Sequence, residues 1–304
     1  IVNSIRHTGA SGDAVTLAND GTCTAKITNN LSNRNLVING AMQVAQRGTS
    51  STDSPGYGSD RFPSYHYNTN EAVTSEQADV ASGTTPYTLG FRKCLKLTNG
   101  NQTSGPQGDG YAGWIQHRIE AQNIVQSGWN YTSASSYITL SFWVKSSVAQ
   151  DFKGYLRSMD GTNQMYPFAT GSLSADTWTK ITKTIPGNSN IQIDNNNGHG
   201  LQINIVPFIG TNYTDNATTE NSWAAYASAS RIKDVTTTWY NTNDATFEIT
   251  GVQLEVSDHA SDFEFLSYAD DLRRCQRYYQ QIVDGNSQTI GLGFNFTTTE
   301  IDVV

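Results

Sequence analysis

From Asn35 to about Tyr268 the chain alternates apolar and polar positions in short runs separated by turn residues, the period of β-strands. Ile138, Leu140, Phe142 and Val144 fall on one side of such a run, with Thr139, Ser141, Trp143 and Lys145 on the other. Leu201, Ile203 and Ile205 alternate with Gln202 and Asn204, and Ile181 and Ile185 repeat the pattern after Trp178. One apolar and one polar side per strand describes antiparallel sheets with one face in a core. Many such strands with few helices predict a mostly β protein whose central part, residues 35–267, is a jelly-roll antiparallel sandwich. Trp114 to Val125 also reads as a strand, since Gly110 and Gly113 precede it and no capping residue stands directly before it. Trp223 to Ile232, rich in Ala, is the best internal helix candidate.

The periodicity changes near the end. In residues 247–256, FEITGVQLEV, Phe247 and Ile249 share one side, Thr250-Gly251 shifts the phase, and Val252, Leu254 and Val256 resume it, as in a bulged strand. From Ser267 a helical period takes over and predicts an amphipathic helix over 268–284. Ser267 is its N-cap, Asp270 and Asp271 occupy its first turn, and Leu272, Cys275, Gln276 and Tyr279 share one face. Gly285-Asn286 then marks a turn, and residues 285–304 restart alternation as the start of a further β module. At the other end, residues 1–34 hold short extended pieces around an Asp20-Gly21 turn. They read as an N-terminal shaft wrapped around copies of itself, or as an attachment arm. Ile1 and the terminal run EIDVV read as cut points in a longer chain.

Composition narrows the function. The 304 residues suffice for a sizeable core, yet only 15% are charged while 11% are aromatic. A polar, weakly charged surface of Asn, Thr, Ser and Tyr suits sugar contacts or protein assembly. A formal charge of −8 without a basic stripe argues against nucleic-acid binding. No apolar run approaches the ~20 residues of a membrane span, so no membrane insertion is expected. Cys23, Cys94 and Cys275 are too few and too widely spaced for a disulfide framework or a metal knot.

The residues ITGVQLEV followed by CQRYY resemble a module of tail-fibre and related appendage proteins of tailed bacteriophages, of the marine-phage type. The stretch NRNLVINGAMQVAQRGTSS at 33–51, the Asp60-Arg61-Phe62 triplet, SYITLSFWVKSS at 136–147, the Trp178 strand and IDNNNGHGLQINI at 193–205 are similar to the same family in the same order. The middle also resembles carbohydrate-binding-module jelly rolls, a likeness of fold that does not carry function. The appendage resemblance spans roughly residues 3–282. It implies a virion component, made in the host bacterial cytoplasm, trimeric, meeting the host surface, with no catalytic residues to transfer. The implied partners are copies of itself, other virion proteins and a host surface glycan or protein.

Candidate chemistry is sparse. Trp143 sits on a polar strand face, where an exposed indole would stack on a sugar ring, with Tyr155, Trp178 and Tyr111 completing a platform. The competing reading packs Trp143 under a loop or in a subunit interface. Trp114, Trp129, Trp223 and Trp239 are expected in the core or an interface. Asp194 and Asn196 offer oxygens to a cation, but calcium takes about six or more, so an Asx turn is the simpler expectation. Glu248 and Glu255, seven positions apart, stand roughly 20 Å apart along a strand and share no cleft, and no nucleophile or metal motif accompanies them or the nearby Asp262 and Glu264. The expectation is a non-enzyme without cofactor. In the terminal helix Leu272, Cys275 and Tyr279 are candidates for a core or three-fold axis, and Arg273, Arg274 and Arg277 for ion pairs across subunits with Asp270, Asp271 or Glu264. The alternatives kept open are a structural virion protein, such as a capsid-decorating fibre or tail adaptor, and a carbohydrate-binding module serving an enzyme.

Overall fold

The computed structural model of the chain describes residues 3–21, 23–25, 33–102, 108–282, 293–295 and 301–303. Its body is an antiparallel sandwich of jelly-roll type. The main strands are β1 (Ser64–Tyr67), β2 (Thr74–Asp79), β3 (Lys93–Thr98), β4 (Tyr111–Glu120), β5 (Tyr137–Ser146), β6 (Gln150–Ser158), β7 (Gln164–Leu173), β8 (Thr179–Pro186), β9 (His199–Val206) and β10 (Thr246–Glu255). A six-stranded sheet runs β8-β5-β10-β3-β2 and ends on the short strand Ser50–Ser51. The seven-stranded sheet runs β4-β9-β6-β7, with β1 on the other side of β4, Phe208–Ile209 beside β4 and Ala224–Ala225 beside β7.

The core lies between the sheets, where the alternation placed it. Leu95, Phe142, Val144, Phe247 and Ile249 meet Ile115, Phe152, Leu156, Ile203 and Ile205, all buried, and Phe152 packs edge-on to Phe247 at 4.9 Å. Each such side chain contributes about 1.5–3 kcal/mol by leaving water. The bulge in β10 stands where the phase shift placed it, between Thr250 and Gln253. Gly251 carries φ +65°, and a Cβ there would lie 2.7 Å from Phe91 Cζ, so only glycine fits.

Residues 35–62 are tied to the sandwich by the Ser50–Ser51 strand and by backbone bonds such as Leu36 N to Leu254 O and Val252 N to Gly40 O, and are braced by buried amide side chains. Asn35 Oδ1 accepts from Val37 N and Leu254 N. Asn39, buried at φ 61°, donates through Nδ2 to Val44 O, Ser59 Oγ and Asp60 O, while its Oδ1 accepts from Val44 N.

Two helix expectations change. Helix α1 (Tyr268–Gln276) starts as expected, with Ser267 Oγ accepting from Asp270 N, but ends earlier than 284. At Arg277 the chain leaves the helix because that residue and the two tyrosines after it are held by other elements. Trp223 to Ile232 forms no helix. Its Trp223 Nε1 donates to Pro186 O and Tyr226 N to Asn163 O, so sheet contacts override the Ala propensity.

Near the start, Ser4–Ile5, Val15–Leu17 and Cys23–Ala25 form a three-stranded meander, with Gly21 at φ +85° in the expected turn. Near the end Gly293–Asn295 pairs with Ile301–Val303. The rest of the expected terminal module, including the Gly285-Asn286 turn, lies outside the described residues. No helix among the described residues is long and apolar enough to cross a membrane.

Candidate functional site

The outer face of the seven-stranded sheet concentrates aromatic and amide side chains. On β4, Ile115, His117 and Ile119 point inward, so Trp114, Gln116, Arg118 and Glu120 point out. Tyr111 would fall on the inner side by strict alternation. Gly113, at φ +73°, breaks the alternation and brings Tyr111 to the outer face, 5.5 Å from Trp114 between ring centroids. The register of β1 sets Tyr65 opposite Trp114 and Tyr67 opposite Tyr111. Four rings therefore form an unbroken row, with centroids 6.0 Å apart for Tyr65 and Trp114 and 5.6 Å for Tyr67 and Tyr111.

Beside the row lies a floor of amides. Trp114 Nε1 donates to Asn204 Oδ1 at 3.0 Å, and Gln116 Nε2 donates to Asn204 Oδ1 at 3.1 Å and to Gln202 Oε1 at 3.3 Å. Arg118 donates to Gln116 Oε1 and, at 3.4 Å, to Tyr65 Oη. The network holds Trp114 and Tyr65 in place in advance, which lowers the ordering cost of binding. Burial holds the Tyr65 and Tyr111 phenols above the usual tyrosine range, so both stay neutral hydroxyls. Glu120, the carboxylate at the end of the file, accepts two bonds from Arg277, at 2.7 and 2.9 Å, and these lower its pKa to about 2. It is held ionised and is no general acid.

The four residues expected to form one platform divide between two faces. Tyr111 belongs to the row. Tyr155 points the same way but is 1% exposed beneath the segment that carries Tyr226 and Arg231, so no sugar reaches its ring. Trp143 and Trp178 lie on the opposite, six-stranded sheet, half-buried against the cluster of Ala41, Val80, Phe91 and Cys94. Trp143 walls a cavity of about 280 Å³ with Phe91, Phe263 and Phe265. Trp129 and Trp239 are core residues, as expected. Trp114 is not: it is half-buried on the open row. Its sequence signal was the polar company of Gln116 and Arg118 on the same strand face.

The remaining candidates resolve locally. Asn196 Oδ1 accepts from Gly198 N at 2.7 Å, an Asx turn, with Asp194 beside it. Among the described residues no group of three or more His, Cys, Asp and Glu is placed to hold a metal. Of the helix residues assigned to a three-fold axis, Cys275 is buried within its own chain, Tyr279 stacks under Arg47 of the same chain, and Arg277 pairs with its own Glu120. Arg273 meets Asp270 one turn away, Arg274 meets Asn33, and Leu272 is half-buried. The helix face given to a subunit axis is thus turned in good part toward its own sandwich.

No family model matches the sequence, and no curated protein matches it. Solved structures similar to it include the enzymatically active domain of bacteriophage CBA120 tailspike protein 4, at 12% identity and TM-score 0.36 over 73% of this chain. This chain spans 21% of that solved chain's length. The tripod from the baseplate of bacteriophage Tuc2009 is similar at 12% identity and TM-score 0.34, over 83% of this chain and 64% of that one. The N-terminal cellulose-binding domain of Cellulomonas fimi β-1,4-glucanase C is similar at 11% identity and TM-score 0.33, over 70% and 97% of the two chains.

Proposed function

We propose that this chain is a glycan-binding adhesion protein of a phage virion appendage, a tail fibre acting as a homotrimer, which holds host surface sugars without cleaving them. The observation that carries the reading is the row of Tyr65, Tyr67, Tyr111 and Trp114 beside the amides of Gln116, Gln202 and Asn204. Aromatic faces stack on the apolar faces of pyranose rings, and paired amides match the vicinal hydroxyls at their edges. The resemblance of ITGVQLEV and CQRYY to appendage proteins supports a virion setting for such a surface. A glycan array probed with the wild-type chain and Trp114→Ala tests it. Loss of one stacking anchor is expected to weaken binding at least about tenfold, ~1.4 kcal/mol, in a variant that still melts cooperatively. Equal binding by the two proteins would remove the row from the reading.

A second reading, a structural protein that binds other virion proteins, has its own support. Leu89 and Phe265, 52% and 43% exposed, rim the Trp143 cavity on the opposite face and suit an apolar side chain from a neighbour. A chain that binds no glycan but co-purifies in a stoichiometric complex with another virion protein would favour it.

A further inference from the structure

The aromatic row ends at a second cavity, of about 220 Å³, that shares Tyr65 and Arg118 with it. We propose that this cavity, walled by Arg47, Arg61 and Arg118, seats one negatively charged substituent of a sugar, a carboxylate, sulfate or phosphate, so that the chain's ligand is an acidic glycan. The inference rests on the glycan-binding reading of the adjoining row.

Three guanidiniums converge here in a chain of net charge −8, yet among the described residues none of them is within ion-pair distance of a carboxylate. Asp60 is the one carboxylate in the wall, and Gln46 occupies both its oxygens through N and Nε2. Glu120, whose charge also acts on Arg61, is taken by Arg277. Arg61 Nη2 donates to the Arg118 backbone O, while its buried Nε has no hydrogen-bond partner. The groups are also preorganised. Arg47 lies between the rings of Tyr57 and Tyr279, at 3.8 and 4.0 Å, and Arg61 lies 3.4 Å over Tyr278. Stacking fixes each guanidinium plane while leaving N–H edges for a planar or tetrahedral anion.

Other electrostatics agree. Burial lowers the Arg61 pKa, as expected of a cation without a counter-ion. His199 is lowered too, first by burial and then by Arg118 and Arg61. The volume falls below the ~300–1,000 Å³ of drug-sized sites, so it holds one substituted ring while the rest of the glycan follows the row. If the stacks served only to pin residues 278–279 to the sandwich, an anion would change nothing.

The test titrates the whole chain by calorimetry with glucose, glucuronate, glucose 6-sulfate, glucose 6-phosphate and inorganic sulfate. Glucuronate separates a uronate source from the sulfated and phosphorylated ones. At least one charged sugar is expected to bind about tenfold or more tightly than glucose, with the preference shrinking severalfold as salt screens it. Arg47→Gln should reduce the charged-to-neutral ratio at least about tenfold. In the wild-type chain the His199 ring should titrate at higher pH with the charged sugar bound, a readout that needs no variant and that a purely structural stack would not move. Equal binding of charged and neutral sugars, sensitive to Trp114→Ala, overturns the cavity proposal and leaves the row standing. A charged-sugar preference indifferent to Trp114→Ala does the reverse. Sulfate alone binding as well as its sugar ester would overturn the glycan assignment of the cavity.

Discussion

Gly113 decides where Tyr111 points. Its φ of +73° belongs to the left-handed region, and a Cβ there would lie 2.9 Å from Leu97 Cδ1 in the core. Gly113→Ala is therefore expected to cost about 1–3 kcal/mol in urea denaturation and to weaken glycan binding by turning Tyr111 out of the row. A variant that lost stability but kept full affinity would show that Tyr111 is not part of the site. Single residues were also where sequence reading reached least far. Alternation places Trp143 and Trp114 alike on outer strand faces, and nothing local distinguishes them. What separates them is long-range: Phe91 and Phe263, distant in sequence, pack beside Trp143, while Trp114 has Tyr65, Tyr111 and Tyr155 around it and the Arg231 guanidinium 5.1 Å over its ring. Tyr155 fails for the same reason, since the segment reaching Arg231 folds over it. The bulge in β10 was legible because a phase shift and a glycine coincide in one short run.

Helix α1 shows what a single element's sequence determines and what its neighbours decide. Its start was legible because capping is local: Ser267 Oγ accepts from Asp270 N, and Ser267→Ala is expected to cost about 1 kcal/mol, readable in thermal melts. Its end was not, because the helical period continues past Gln276 while Arg277 is drawn to Glu120 on β4. That pair gives the element a pH dependence. The bonds from Arg277 lower the Glu120 carboxyl from its ordinary 4.5 to about 2. A carboxyl depressed on folding stabilises the fold fully above its unfolded value and ceases to do so as pH falls through the folded one. Melting temperatures of the wild-type chain should therefore drop more between pH 4.5 and pH 2 than those of Glu120→Gln. Because Arg277 is half exposed to solvent, salt should narrow the difference. Parallel curves would mean the pair adds nothing to stability.

At the scale of the whole molecule, the sandwich was legible because one-sided burial imprints a period of two on every strand, and the alternation itself assigns the core. Assembly leaves a weaker trace. The N-terminal meander joins strands of two or three residues, with Ile5 and Leu17 58% and 43% exposed, and strands that short do not hold a fold alone. In the proposed trimer, three meanders would cover these side chains mutually, while each sandwich keeps its own core. Removing residues 1–34 is then expected to convert a trimer into monomers by light scattering, with the sandwich still melting cooperatively at a temperature lowered by the lost Arg34–Glu255 and Asn33–Arg274 contacts. An unchanged mass would move assembly to another surface, and a collapsed melt would mean that the segment supports the sandwich itself. The same truncation separates affinity from avidity. Linked sites gain about 10²–10⁴ in apparent strength without any new contact, so the monomer should keep its affinity for soluble sugar while losing most of its hold on a glycan-coated surface. If both fell together, residues 1–34 would belong to the sugar site and not to the assembly.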